Sequence, residues 1–304
     1  LLIFIINSIF VLMKRIIVTE KQIRGVISSI VSESSNIRGY MFDWDDNILF
    51  MPTKIRMEKK DGERWIPIEV STEEFRDIRQ DPNYRLLNND PAEAFKNFRD
   101  DNKYIEDVRS ALSSESYGPS YEKFIEAIKY ANPFSIITAR GHSPSALRKG
   151  TSELIFHALS DEEIKELATK IKETLKMDAD EYADKMVIDY YLDAQKYNPV
   201  SSEEFIDRMR GKEGGGNIDA SNPEVGKKLA IEEFVDGVIR EVEKAIKKGE
   251  NIENISFGFS DDDKGNIEVA EKLIQDTLNK KYPDVKFVVY DTGDAGDILK
   301  IKKY

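Results

Sequence analysis

The sequence predicts an α/β protein built on a mainly parallel β-sheet. Three observations carry that expectation. Short apolar runs of strand length alternate with longer amphipathic helical patterns. The runs alternate only weakly, as strands buried on both faces do. Acidic and hydroxyl side chains stand directly after several of the runs, where open α/β sheets bind ligands.

The apolar, β-rich runs are residues 37–42, 134–137, 255–259 and 285–290. Apolar residues recur at helical spacing over 19–31, 121–131, 164–175, 225–246 and 267–278. Capping boxes mark three helix starts: Ser71 with Glu74, Ser160 with Glu163, and Ser201 with Glu204. Strands separated by helices imply right-handed crossovers. Two stretches do not fit that alternation. Residues 51–132 are far longer than a crossover helix needs, and they contain an expected hairpin (54–59 and 64–70) turning at Asp61-Gly62. Residues 151–221 are charged and helical, and they end in a glycine-rich run at 211–216. The expected core is therefore 13–50, 133–150 and 222–304, with a cap insertion at 51–132 and a helical insertion at 151–221.

Composition narrows the chemistry. The 304 residues are 40% hydrophobic and 34% charged, as a soluble globular chain is. With 45 basic against 57 acidic residues, the net charge is −12, which gives no global attraction to nucleic acid or an anionic membrane. Cysteine is absent, which excludes thiolate nucleophiles and cysteine-ligated zinc and is compatible with a cytoplasmic location. His142 and His157 are the only histidines, so any metal would be held by oxygen, pointing to magnesium, manganese or calcium. Residues 1–12 are almost wholly apolar but too short to span a bilayer. Because Met13-Lys14-Arg15 reads like an ordinary start, they are expected to be an upstream extension or a weak membrane-surface anchor.

The chemistry-bearing positions lie at the ends of the apolar runs. Asp43, Asp45 and Asp46 follow the first. Asp43 and Asp45 would project to one side of an extended segment, and carboxylates that close need a cation or a shared proton. Thr138-Ala139-Arg140-Gly141-His142 follows the second run, a hydroxyl and glycine turn suited to an anion. Lys227 and Lys228 open the long helix before the third run, and Ser260-Asp261-Asp262-Asp263 follows it.

In this order the four motifs resemble the haloacid dehalogenase (HAD) superfamily, over roughly residues 37–50, 133–145 and 224–304. The resemblance implies a three-layer Rossmann-like core whose two insertions take the place of the superfamily's caps. It implies a magnesium-dependent phosphohydrolase, with Asp43 as the nucleophile that forms an aspartyl-phosphate. Asp45 would be the general acid/base, and Thr138 would hydrogen-bond the phosphoryl group. Lys227, or alternatively Lys228, would offset its charge. Ala139 and Arg140 would lie along the bound phosphate. Asp262, with Asp261 as its alternative, would complete a magnesium site with Asp43 and the backbone carbonyl of Asp45. Two positions depart from the pattern: Asn47 stands where threonine or valine is usual, and Asn266 where a second acidic residue is common.

Gly226-Lys227 lacks the other residues of a phosphate-binding P-loop, and residues 260–271 imitate a calcium-binding EF-hand loop poorly. The expected partner is a small phosphorylated metabolite or nucleotide. The alternatives are a HAD-like binding or regulatory module with little turnover, suggested by Asn47 and Asn266, and a nucleic-acid end-processing phosphatase, suggested by the basic hairpin with Trp65. A phosphoacceptor receiver domain places its motifs in a different order.

Overall fold

A computed structural model describes residues 27, 29–30, 35–175, 177, 182–212, 215–218, 222–293 and 300–304. Residues 1–12, nearly all of the helical pattern at 19–31, and Glu213-Gly214 of the glycine-rich run lie outside them. In chain order β1 (Asn36–Phe42) precedes a hairpin of β2 (Ile55–Asp61) and β3 (Arg64–Val70). Next come α1 (Thr72–Ile78), β4 (Tyr84–Leu86), α2 (Pro91–Ala94), α3 (Asp101–Ser113) and α4 (Tyr121–Lys129). β5 (Phe134–Thr138) leads into α5 (Pro144–Ala158), α6 (Asp161–Leu175), α7 (Asp184–Asp193) and β6 (Lys196–Pro199). The remainder is α8 (Glu203–Arg210), α9 (Pro223–Lys247), β7 (Asn254–Asp261), α10 (Lys264–Leu273), α11 (Asn279–Lys281), β8 (Val285–Asp291) and β9 (Lys300–Lys303).

Six strands form one sheet in the order β6-β5-β1-β7-β8-β9. All its pairings are parallel except β8 with β9. The chain builds outward from β1 in one direction through β5 and β6, then restarts on the other side with β7 and β8. That reversal beside β1 makes the carboxyl ends of β1, β5 and β7 the place where a crevice forms. The arrangement is α/β, with helices on both faces, compatible with a Rossmann-like core.

Alternation along β1 divides the core in two. Tyr40 and Phe42 pack with α3 to α7, whereas Ile37 and Met41 pack with α8, α9 and α10. Gly39 is required on the second face. A Cβ there would lie 2.6 Å from the Phe257 ring, and Phe257 in turn packs edge-on against Phe234.

The hairpin forms as expected, with Gly62 at φ +60° in its turn, and β4 adds a third strand to it. This small sheet has its own apolar cluster of Ile55, Met57, Val70 and Phe98. The stretch 51–132 is not wholly apart from the core, however, because α3 and α4 bury Tyr104, Val108, Phe124 and Ile128 against the main sheet.

Residues 151–221 likewise differ from a pure helical insertion. They contribute β6, which pairs with β5 from Ser135↔Lys196 to Thr138↔Pro199. Lys196-Tyr197-Asn198-Pro199 carries no strand signal because it is short and polar and ends in proline, all of which an edge strand tolerates. Asn198 is held instead by its side chain, which donates to Ser135 Oγ and accepts from Arg208. The capping boxes at Ser71 and Ser160 form reciprocally. The third helix start is capped one residue later than expected, by Ser202 rather than Ser201.

Adding a methyl group at Gly39 forces the Phe257 ring out of a packed core. Gly39→Ala is expected to cost about 1–3 kcal/mol, read as a lowered urea midpoint with an unchanged m-value.

Candidate functional site

Parallel pairing sets the site by levelling two strand ends. Phe42 is in register with Ser260, and the Asp43 amide donates to the Ser260 carbonyl at 3.0 Å. The next residues on the two strands, Asp43 and Asp261, therefore emerge side by side. At Gly226 the first turn of α9 packs closely on Val200, just beyond β6, where a Cβ would lie 2.7 Å from Val200 Cβ. Lys227 then reaches inward. Its Nζ lies 2.7 Å from Asp261 Oδ2 and 3.1 Å from Asp43 Oδ1. Carboxylate oxygens of Asp43, Asp261 and Asp262 all come within 4.8 Å of one another.

Three carboxylates at this separation in a buried place repel one another. Burial is the largest effect on Asp43 and pushes its carboxyl well above the usual range; Lys227 opposes this, while Asp261, Asp262 and Asp45 add to it. Burial, then Asp261 and Asp46, push Asp262 up to about 8, against Lys227 and Arg76. Burial disfavours the charge on Lys227, but Asp261 and Asp43 outweigh it and hold the ammonium protonated well above the usual lysine range. The site thus retains its one buried ammonium and resists full ionisation of its acids.

Asn47, the first departure from the HAD pattern, is fully buried and organises the loop. Its Nδ2 donates to the Asp43 carbonyl at 3.0 Å and to Ser260 Oγ at 3.0 Å. Its Oδ1 accepts from Ser120 Oγ at 2.7 Å and from Thr292 Oγ1 at 2.9 Å. One amide therefore joins the segments after β1 and β8, the end of β7 and the loop before α4. Asn266, the second departure, donates to Asp261 Oδ1 at 2.9 Å and orients that carboxylate.

Asp45 stands apart from the acidic trio. Arg140 engages it with two hydrogen bonds, Nε to Oδ2 at 2.7 Å and Nη2 to Oδ1 at 2.5 Å. Arg140 is only 1% exposed and is engaged by Asp45, where the expectation had it along a bound phosphate. It lies against the Phe98 and Tyr104 rings, and its Nη2 also reaches Thr53 Oγ1 at 3.0 Å. Thr53 in turn donates to the buried Asp107 at 2.6 Å.

Among the other expected residues, Thr138 is buried at the end of β5, with its hydroxyl 3.4 Å from the Arg140 amide. Ala139 is exposed beside it. Lys228 is exposed, one residue and about 100° around the helix from Lys227. That rotation takes it away from the cluster, so Lys227 and not Lys228 is the lysine of this site. His142, in the same loop as Thr138, is fully buried against the Tyr104 ring at 4.9 Å, and neither ring nitrogen makes a well-formed hydrogen bond.

No local sequence signal places α1 at the site. Arg76 donates to the Asp262 carboxylate, and Arg79 lies 3.0 Å from the Asp263 carboxylate. Only folding brings this helix, from the segment after the hairpin, against the end of β7.

The donor chemistry fits a hard divalent cation such as magnesium, which takes carboxylate oxygens and keeps water or phosphate in its remaining positions. Asp43 Oδ1 is buried and accepts no hydrogen bond, although Lys227 is near it. Comparison with protein-family models, with curated proteins and with solved structures finds no match.

Threonine, usual in the HAD pattern, cannot replace the Asn47 amide, because it lacks the two-hydrogen donor. Asn47→Thr is expected to destabilise the fold by about 2–4 kcal/mol rather than improve the site, measured by urea denaturation. His142 supplies a pH signature. Burial and then the Arg140 charge lower its pKa to about 4, against about 6.5 in an unfolded chain. The unfolded chain thus takes up a proton first as pH falls. The contribution of neutral His142 is complete above about pH 6.5, and about 3 kcal/mol is lost by pH 4. His142→Phe is expected to flatten the stability slope across that window.

Proposed function

We propose that the chain is a HAD-like, magnesium-dependent phosphohydrolase that cleaves a phosphate monoester through an aspartyl-phosphate on Asp43. The observation that supports this most is the meeting of Asp43, Lys227, Asp261 and Asp262 at adjacent strand ends, in the motif order of that superfamily. Asp43, Asp261 and Asp262 would hold the magnesium ion, with the Asp45 carbonyl as an expected further ligand. Bound magnesium supplies positive charge that draws a phosphoryl group to the carboxylates.

The protein's own groups divide the remaining work. An Asp43 oxygen attacks phosphorus as the ester P–O bond breaks, and the leaving oxygen takes a proton. Lys227 places a fixed positive charge against Asp43 and the transferring group. Thr138, at the end of the neighbouring strand, offers its hydroxyl to a phosphoryl oxygen. Asp45 is the acid/base, protonating the leaving oxygen and then taking a proton from the water that releases phosphate. Because both Asp45 oxygens are paired with Arg140, proton transfer there proceeds with that pairing loosened. The insertion carrying the hairpin and α1 covers the site as a cap, which favours a small phosphorylated metabolite or nucleotide over a polymer.

The Asp45–Arg140 pairing also favours a second reading, a HAD-like binding or regulatory module with little turnover. Magnesium-dependent phosphate release from p-nitrophenyl phosphate separates the two, and its absence across a broad panel of phosphorylated metabolites favours the module. In the first case Asp43→Asn lowers turnover by about a thousandfold or more with the fold intact by circular dichroism. Equal turnover in the two proteins overturns the nucleophile assignment.

A further inference from the structure

The helix α1 is held at the site in an unusual way for a surface helix. None of its residues is fully buried, and its apolar Phe75 and Ile78 pack on the small sheet's own cluster, not on the core beneath the site. Its contacts with the segment after β7 are instead ionic, from Arg76 to Asp262 and from Arg79 to Asp263. Arg76 also approaches the Asp262 backbone carbonyl at 3.5 Å. Of the two arginine partners, Asp262 belongs to the acidic trio and Asp263 does not. Asp263 instead caps α10, accepting from the Gly265 amide at 2.8 Å.

Arg76 therefore spends its charge on a carboxylate that the proposed cation would use. The charges admit one of the two on Asp262 more readily than both. Three carboxylates, Lys227 and one divalent cation sum to zero. Keeping the Arg76 guanidinium on the same carboxylate would hold a second positive charge within a few ångströms of the cation, where low dielectric makes repulsion strong. Asp45 is already neutralised by Arg140, and Asp46, whose charge acts on both Asp262 and Arg76, is the counter-charge left to a displaced Arg76.

We propose that Arg76 is an internal counter-cation of this site: a divalent cation binding at Asp43, Asp261 and Asp262 displaces it, so that cation binding and the release of α1 from the end of β7 are linked. This rests on the cation site proposed above. Linkage is reciprocal, so whatever holds α1 down weakens the cation, and whatever removes Arg76 strengthens it. Arg76 thereby sets the affinity of the site for its metal and ties the position of the overlying segment to metal occupancy.

The test is calorimetric titration of the full chain with magnesium chloride alone, without substrate. The proteins are wild type, Arg76→Gln, Arg76→Lys and, as a charge control, Arg109→Gln. Arg109 pairs with Glu153 on the surface, outside the acidic cluster. Arg76→Gln is expected to tighten magnesium binding roughly tenfold, while Arg76→Lys and Arg109→Gln stay near wild type. Hydrogen exchange at amides 72–78 is expected to speed up when magnesium is added to wild type, and to be fast in Arg76→Gln with or without it. Magnesium binding of equal strength in wild type and Arg76→Gln overturns the linkage and leaves the cation site standing. Equal tightening in Arg76→Gln and Arg109→Gln also overturns it, because the effect is then one of net charge. No magnesium binding in any of the proteins removes the cation site, and the linkage with it.

Discussion

The ammonium of Lys227 between Asp43 and Asp261 is the interaction on which the site depends. Two carboxylates at adjacent strand ends, both almost wholly buried, are unfavourable neighbours. A fixed positive charge 2.7 Å from one and 3.1 Å from the other makes their proximity tolerable. Deleting a partner from such a buried pairing typically costs about 3–5 kcal/mol, because the remaining charge is left uncompensated. Gly226 lets α9 pack closely on Val200 and so come up to the sheet. The helix must come near enough for a lysine in its first turn to reach the sheet edge.

Around that centre the polar groups fall into two compartments. Asp43, Asp261 and Asp262 share Lys227 and Arg76. Asp45 belongs to a separate chain of contacts through Arg140, Thr53 and Asp107. The first compartment is crowded with acid and is suited to a divalent cation. The second is locally balanced and built to orient one carboxylate. Asp43 and Asp45, only two residues apart, thereby acquire different environments, and separate environments are what separate chemical roles require. Asn47 keeps the compartments in place by joining the loops on which they stand.

Much of the frame was legible from local pattern. Buried strands announce themselves as short β-rich apolar runs, and 37–42, 134–137, 255–259 and 285–290 each match a strand of the sheet. The hairpin was legible because Asp61-Gly62 is a strong turn signal between extended segments. Strand β6 was not, because an edge strand needs neither apolarity nor alternation. At the site, Asp43, Lys227, Asp261 and Asp262 were legible because they stand at or beside the ends of recognisable elements.

What remained was decided by contacts between distant segments. Whether Arg140 faces a ligand or Asp45 depends on how the loop after β5 meets the loop after β1, 95 residues apart in sequence. Lys227 and Lys228 are equivalent in sequence, and only the rotation of α9 against the sheet assigns one to the site and the other to solvent. Arg76 reaches Asp262 across 186 residues, and no local spacing encodes that contact. The sequence by itself determined the α/β class and which acidic and basic residues stand at strand ends, since both follow from periodicity along the chain. The tertiary structure alone decided which charges pair, since pairing depends on distances between segments that periodicity does not specify.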